Sequence, residues 1–511
     1  MLLNFKIVAI TSFLLCGNLL FSQTNKTPVF ISDSLDKYIN QAIKDWNVPA
    51  LAVGIVKDDK VVWCKGYGLL EVGKKEPVNE NTLFMIGSNT KLFTGTMAAM
   101  LEQQGVLKLD DKVTKWIPSF ELKNKYASVN ANLKDILSHR IGFETFQGDF
   151  TYWTSKLTRE EIVAKMSKVD AVYDYRTKWG YCNAGYLTTG EVIEAATKQS
   201  WEDNIRKNVL QPLQMNSTLM LAVELEKAKN YAKPYTWFNK KLTPISIPKL
   251  DNLAPAASIS SNVVDMCKWL QLQLNFGKVN NTPLISEKAI AATRNPESIV
   301  GVNPRFNRLN HFTLYGLGLE IKDRKGYVLY SHTGGVNGYL SSVAFIPELK
   351  LGVVVLTTND NQSLFQILNN QIMDAYLEVP YENYSKQALS GFILQTKSSE
   401  NLIDSLYKVV AQKNKLPLDM KEFCGVYSNE LYGKITIELL NQNLIMKFEN
   451  HPEMTAKVEY TAANNFLISY SDPTMGIKEI PFIIELNKVK GFTLLVNDFV
   501  EFTPYNFTKL D

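Results

Sequence analysis

Apolar residues along the chain change their spacing several times, and each change predicts an element. "SLDKYINQAIKDW" (34–46) carries its apolar residues at helical intervals and predicts an amphipathic helix. "ALAVGIV" (50–56), a polar "KDDK" and "VVWCKGYG" (61–68) predict a β-hairpin. The segment "LFTGTMAAML" (92–101) is apolar on nearly every side, as a buried helix must be, and Gly105 stands where a helix C-cap is expected. Residues from about 130 to 295 read as helix-rich with long connections. A second β region comes late, in "YVLYSHTGG", "YLSSVAFI", a "PELK" turn and "LGVVVLTTN". Strands at both ends of a helical segment predict one sheet assembled from distant pieces, the α+β pattern.

Further on the texture changes. Residues 381–420 read as a polar helical connector whose apolar stripe is only Leu389, Ile393, Ile403, Leu406 and Val410. Beyond it, "YGKITIELLNQNLIMKFE" and "KVEYTAANNFLISY" alternate apolar and polar positions with turns between, which predicts a small all-β domain over 421–511. The main domain would then occupy 23–380. At 511 residues, more than one domain is the natural expectation.

The first 22 residues stand apart from this pattern. Lys6, the apolar run "IVAITSFLLCGNLLF" and the polar "SQTNKT" have the charged–apolar–polar order of a secretory signal, with a cut near Ser22 and Gln23. Gly17 and Asn18 interrupt the run, which is short for a membrane span, so an exported protein without a lasting membrane anchor is expected, periplasmic or secreted. A formal net charge of +4 over the whole chain leaves no nucleic-acid footprint. After removal of Cys16, the remaining Cys64, Cys182, Cys267 and Cys424 show no CxxC spacing, and four histidines lie scattered, so no metal site and no disulfide scaffold is expected.

Candidate chemistry starts at "FMIGSNTKLFTG" (84–95). Ser88 and Lys91 are one helical turn apart, within reach for proton exchange. A serine hydroxyl needs an adjacent base, and a lysine can be that base only if burial and neighbouring positive charge lower its pKa. The same spacing occurs at Ser34–Lys37, Ser246–Lys249 and Ser405–Lys408, but only the Ser88 copy opens a buried helix. "WGYCNAGY" puts Tyr181 and Asn183 just before a helix over about 184–198, where Asn183 could also be an N-cap. "SHTGGVNGY" ends a strand with His332, Gly334 and Gly335.

In this order (Ser-x-x-Lys, Tyr-x-Asn, His-x-Gly) the chain resembles the serine β-lactamases and penicillin-binding proteins, and within them the class C β-lactamase-like branch with its D-aminopeptidases, D-Ala-D-Ala carboxypeptidases and esterases. The resemblance runs over about residues 30–375, and the C-terminal module resembles the lipocalin-like barrel that follows this domain in peptidase-like members. It implies that Ser88 forms an acyl-enzyme, that Lys91 and Tyr181 share the proton as general base and then acid, with the nearby Lys91 charge expected to lower the Tyr181 pKa from about 10, and that Asn183 orients the substrate amide. It also implies an oxyanion hole from the N–H groups of Ser88 and Gly335, with His332 and Gly334 on the substrate-facing strand. No cofactor is implied.

Two departures bear on substrate. His332-Thr333-Gly334 stands where many penicillin-recognising enzymes have Lys-Thr-Gly, and histidine is mostly neutral near pH 7, which weakens the case for a dedicated β-lactamase. Ile141 replaces a serine usual after His139, so His139 is taken as structural, and Cys182 as a packing residue. The expected function is hydrolysis of an amide or ester in a peptide or small molecule, with D-amino-acid or cell-wall-type peptides leading by resemblance. A carboxylesterase, a β-lactamase and a slowly acylated penicillin-binding receptor remain alternatives. The β module carries none of the three motifs and is expected to contribute no catalytic group.

Overall fold

The structure, a computed structural model, describes residues 27–302 and 309–510; the export signal expected over 1–22 lies outside the described residues. The first helix, α1 (Leu35–Asp45), leads into strands β1 (Ala50–Lys57) and β2 (Lys60–Gly68). Their turn is made by Asp58 and Asp59, both with positive φ (51° and 64°), the geometry that matches the twist of a tight hairpin. Helices α2 (Thr90–Gln103), α3 (Asn183–Thr197) and α4 (Val263–Leu274) are the longest of the helical middle segment. Strands β3 (Ser298–Val302), β4 (Phe312–Tyr315), β5 (Glu320–Arg324), β6 (Tyr327–Val336), β7 (Tyr339–Ile346) and β8 (Leu351–Thr358) follow, then α5 (Leu364–Tyr376) and α6 (Tyr384–Ala411).

These eight strands form one antiparallel sheet in the order β2-β1-β8-β7-β6-β5-β4-β3. β1 pairs with β8, Val53 opposite Val355, so the two ends of the domain meet inside the sheet, one strand in from its β2 edge. This is the α+β sheet of distant pieces that the apolar pattern predicts. Strands β1 and β8 read as continuous apolar runs because both faces are covered. Leu51, Val53, Ile55, Val353 and Val355 pack beneath α1 and α5, while Ala50, Ala52, Val354 and Leu356 face the helical middle segment. Helix α2 lies within that segment, every residue from Thr90 to Leu101 buried, with Phe93 stacked on Trp269 of α4 at 4.2 Å.

The C-terminal module is a closed eight-stranded antiparallel barrel running from Gly425–Asn429 to Tyr505–Lys509. Its interior is lined by alternating residues such as Ile435, Ile437, Met446, Phe466, Phe482 and Phe492. Closure removes the unpaired edges that an open sheet would expose. Helix α6 bridges the two domains with a single fully buried residue, Ser385, and docks through Phe392 against Trp46 and through Glu400, which accepts a hydrogen bond from Trp237. Among the described residues, no helix is long and apolar enough to cross a membrane.

The barrel shares its core with the main domain. Phe150, fully buried, projects from a one-turn helix, Asp149–Tyr152, in the connection over 146–153 and stacks on Tyr432 at 4.9 Å and on His451 at 5.1 Å, both barrel residues. His451 Nε2 in turn meets the Trp153 carbonyl at 2.9 Å. Phe150→Ala is therefore expected to cost about 3–5 kcal/mol, as buried Phe→Ala changes do. Thermal denaturation measures that loss, and limited proteolysis should then cut faster between α6 and the barrel; an unchanged melting temperature and cleavage rate would refute the shared core.

Candidate functional site

Ser88 sits on a short 3-10 turn, Gly87–Asn89, that feeds directly into α2. This turn meets strand β6 backbone to backbone, which two glycines permit. A Cβ on Gly87, whose φ is +54°, would come within 2.8 Å of the Gly335 nitrogen, and one on Gly334 would lie 1.9 Å from the Ile86 carbonyl oxygen. Ser341 fastens the junction by donating to the Ile86 carbonyl (2.7 Å) and accepting from Asn89 Nδ2 (2.7 Å). Gly334 is thus required for packing, whereas Gly335 lies on the more open face of β6 with Thr333. Ser88 is partly exposed, between this strand and the first turn of α2.

Lys91 is wholly buried. Its Nζ donates to Asn183 Oδ1 (2.7 Å), the Ala256 carbonyl (3.0 Å) and Ser88 Oγ (3.2 Å). The faces of Tyr181 and Tyr186 flank it, with ring centroids 4.7 and 5.2 Å away. Burial disfavours the ammonium form and brings the pKa down to about 7, against the pull of the Asp149 carboxylate, which favours the charge. Sequence reasoning asked for a neighbouring positive charge as well; desolvation alone supplies the shift. A neutral amine can accept the Ser88 proton.

Asn183 is the first residue of α3, so it is no N-cap, and its amide is spent on chemistry-bearing neighbours: Oδ1 accepts from Lys91 and Nδ2 donates to Asp149 Oδ2 at 2.5 Å. Tyr181 faces Ser88, and burial raises its pKa well above 10. Its hydroxyl is buried and has no hydrogen-bond partner of ordinary geometry among the described residues. The sequence-based expectation that the Lys91 charge would lower this pKa is corrected here: desolvation dominates and keeps Tyr181 a protonated phenol. His139, in the left-handed region at φ 61°, packs its ring on Tyr181 at 4.3 Å and accepts the Cys182 N–H on Nδ1 at 3.0 Å. That fixes the Tyr-Cys-Asn segment. The Cys182 thiol is buried and pushed up to about 12 by burial, which leaves it unreactive as a nucleophile.

His332 lies beside the site, its ring centroid 6.1 Å from that of Tyr181. Strand alternation puts its ring in the interior with 4% exposure. Nδ1–H donates to the Thr333 carbonyl, leaving Nε2 to accept from the Tyr315 hydroxyl at 2.9 Å. Burial, with Lys91 nearby, lowers its pKa to about 4, so the ring is neutral and both nitrogens are committed. It ties β6 to Tyr315 of β4 beside Tyr181.

Two carboxyls escaped sequence reasoning. Asp149 is buried and its pKa is raised by burial to about 7, against hydrogen bonds from Tyr152 and Asn183. The only signal for it was an acidic residue inside the aromatic-rich "FQGDFTYW". Glu501, in the barrel, is also buried and pushed up by burial to about 8. The barrel further lines the mouth of the site without contributing a group to the Ser88–Lys91–Tyr181 set. Phe502 stacks on Phe146 (5.7 Å), which meets Tyr181 edge-on (5.6 Å), and Phe499 lies 3.3 Å from where a Gly335 Cβ would stand. On its far side Phe499 borders a cleft of about 840 Å3 between α6, the Tyr235–Phe238 strand and the barrel, lined also by Trp237, Phe392, Tyr407 and Glu400. Among the described residues, no cluster of His, Cys, Asp and Glu could hold a metal ion.

Residues 35–377 match the family described as Beta-lactamase, and residues 408–509 match a domain of unknown function, DUF3471. The chain is 24% identical over 439 residues to unguisins hydrolase ungD of Aspergillus violaceofuscus (strain CBS 115571), covering 80% of this chain and 77% of that protein. It is 27% identical over 383 residues to protein flp of Staphylococcus aureus (strain MW2), covering 73% and 71%. In fold it is similar to an octameric penicillin-binding protein homologue from Pyrococcus abyssi (TM-score 0.60, 22% identity, 93% of this chain and 99% of that one). A D-stereospecific amidohydrolase from Streptomyces sp. is also similar (TM-score 0.54, 18% identity, 67% and 97%).

Two measurements test this geometry. Labelling of Ser88 by a fluorophosphonate should speed up as pH rises through about 7, because only the deprotonated Lys91 can accept a proton. A rate flat between pH 5 and 9 would contradict the lowered lysine pKa. Tyr181→Phe removes a buried hydroxyl without a partner, so it should stabilise the fold by roughly 1 kcal/mol while labelling slows by about 100-fold. Loss of stability would show that the hydroxyl is already bonded.

Proposed function

The chain belongs to the Beta-lactamase family, and from that premise we propose that it is an exported serine hydrolase working through an acyl-enzyme on Ser88. The observation that carries this reading is a fully buried Lys91, its amine tending to neutrality, 3.2 Å from a partly exposed Ser88 hydroxyl. Lys91 Nζ takes the hydroxyl proton as Ser88 Oγ bonds to the acyl carbon. The N–H groups of Ser88 and Gly335 hold the oxyanion, a contribution worth about 100–1000-fold per donor. Tyr181, protonated and facing Ser88, gives its proton to the departing amine or alcohol and is replenished from Lys91. The C–N or C–O bond breaks at that step. A water molecule then hydrolyses the ester on Ser88 by the same proton route in reverse.

For the acyl donor, a peptide fits best. A neutral His332 turned inward gives no cation for a substrate carboxylate. A similar fold in a D-stereospecific amidohydrolase and sequence similarity to an unguisins hydrolase favour amide hydrolysis with D-residues at the cleaved position. Export rests on the charged–apolar–polar order of the first residues.

The test is a fluorophosphonate adduct located by peptide mapping, followed by turnover of matched substrates. Wild type should carry the adduct on Ser88, and Ser88→Ala should carry none. Peptide amides with a D-residue on the acyl side should turn over steadily and faster than their L-epimers. A single stoichiometric burst would indicate a receptor, and preference for simple esters a carboxylesterase. N-terminal sequencing of the protein from its native host should begin near residue 23.

A further inference from the structure

We infer that Glu501, from the barrel, is a positioning residue for the proton-transfer site, an assignment that rests on the functional reading above. Glu501 is 2% exposed and lies 352 residues from Asp149 in sequence, by their numbering. Its Oε1 accepts the Gly148 N–H at 2.8 Å and its Oε2 the Phe150 N–H at 2.9 Å, the two backbone donors on either side of Asp149. Tyr505 donates to Oε2 as well, at 2.6 Å. One barrel carboxyl thus grips both flanks of Asp149.

What Asp149 does explains why its placement matters. Its Oδ1 accepts from Tyr152 (2.8 Å) and its Oδ2 from Asn183 Nδ2 (2.5 Å). A carboxyl acceptor on that side fixes the Asn183 amide with its oxygen towards Lys91 at 2.7 Å. The reverse orientation would aim an N–H2 group at the lysine amine, donor against donor. Lys91 in turn reaches Ser88 at 3.2 Å. The contacts form an unbroken chain: barrel carboxyl, loop backbone, Asp149, Asn183, Lys91, Ser88. A small slip at its far end is passed to a donor–acceptor distance at the nucleophile, and misplacements of about 1 Å there cost up to about 100-fold in rate. Glu501 touches no reacting atom, so its effect belongs to the rate of acylation and not to binding.

The loop 148–150 is built to receive such a clamp. Gly148 has φ +96°, and Phe150 points into the barrel while Asp149 points to the site. Adjacent residues therefore anchor the loop in opposite directions, and Glu501 occupies the backbone between them.

The experiment uses the full chain and a fluorophosphonate whose concentration dependence separates probe affinity from the acylation rate constant. Glu501→Gln keeps shape but turns one of the two acceptor oxygens into a donor. It should slow acylation about tenfold with probe affinity within twofold of wild type. Asp149→Asn should do the same, and the double variant should be no slower than the worse single one, since both act through Asn183. Phe466→Leu, inside the barrel with ring contacts to Phe423, Tyr460 and Phe482 and none to Phe150, is the structural control: it should lower the melting temperature and leave the acylation rate unchanged. Glu501→Gln labelling at the wild-type rate would overturn the inference. So would rate losses that track melting temperature across all variants, or fully additive losses in the double variant. A wild type without any adduct on Ser88 would overturn the functional reading itself, and the positioning role with it.

Discussion

Everything around the site follows from placing a lysine amine where water cannot reach it. A buried ammonium is costly unless it is paired or gives up its proton. Lys91 has no carboxylate in contact; its partners are an amide oxygen, a backbone carbonyl and a serine hydroxyl. The protein has therefore to supply a dry pocket, and it does so by sinking α2 between the sheet and the helical segment until all of Thr90–Leu101 is covered. The glycines that let the Ser88 turn lie against β6, and the aromatic faces of Tyr181 and Tyr186, complete the enclosure.

How much of this was legible in the sequence depends on the range of the signal. Local patterns carried the sheet, the buried helix, the barrel and the Ser88–Lys91 pairing, because periodicity and spacing are properties of neighbours in the chain. The face of a strand residue at a junction is a weaker signal. His332 sits within β6, where one step of register decides between interior and opening, and its partner Tyr315 is on the next strand but one. Asp149 and Glu501 were illegible for a different reason. Each is an isolated acid, and its burial depends on a contact between two domains that no local pattern encodes.

That contact also changes how the barrel is understood. A polar connector and a complete β texture suggest an appended module, yet the hydrophobic core runs without a break from the main domain into the barrel. The most deeply buried of its links is the Phe150 ring, next to the acid that faces Asn183. Domain docking and site assembly thus use consecutive residues of one loop, so the barrel cannot come away without disturbing Asp149. The aromatic residues Phe499 and Phe502 at the mouth follow from the same docking.

The proposed proton route has its direction built in by a single physical effect acting on two groups. Burial favours the neutral form of any ionisable side chain. For an amine the neutral form is the base, and for a phenol it is the acid. Lys91, brought down to about 7, is ready to accept, while Tyr181, held well above 10, is ready to donate. Environments that drive two pKa values apart assign acid and base between them. Here the environments are one and the same pocket, and the division of labour comes from the opposite charges of the ionised forms. No separate tuning charge is needed beside either residue, which is why a neutral His332 can brace the strand without disturbing the balance.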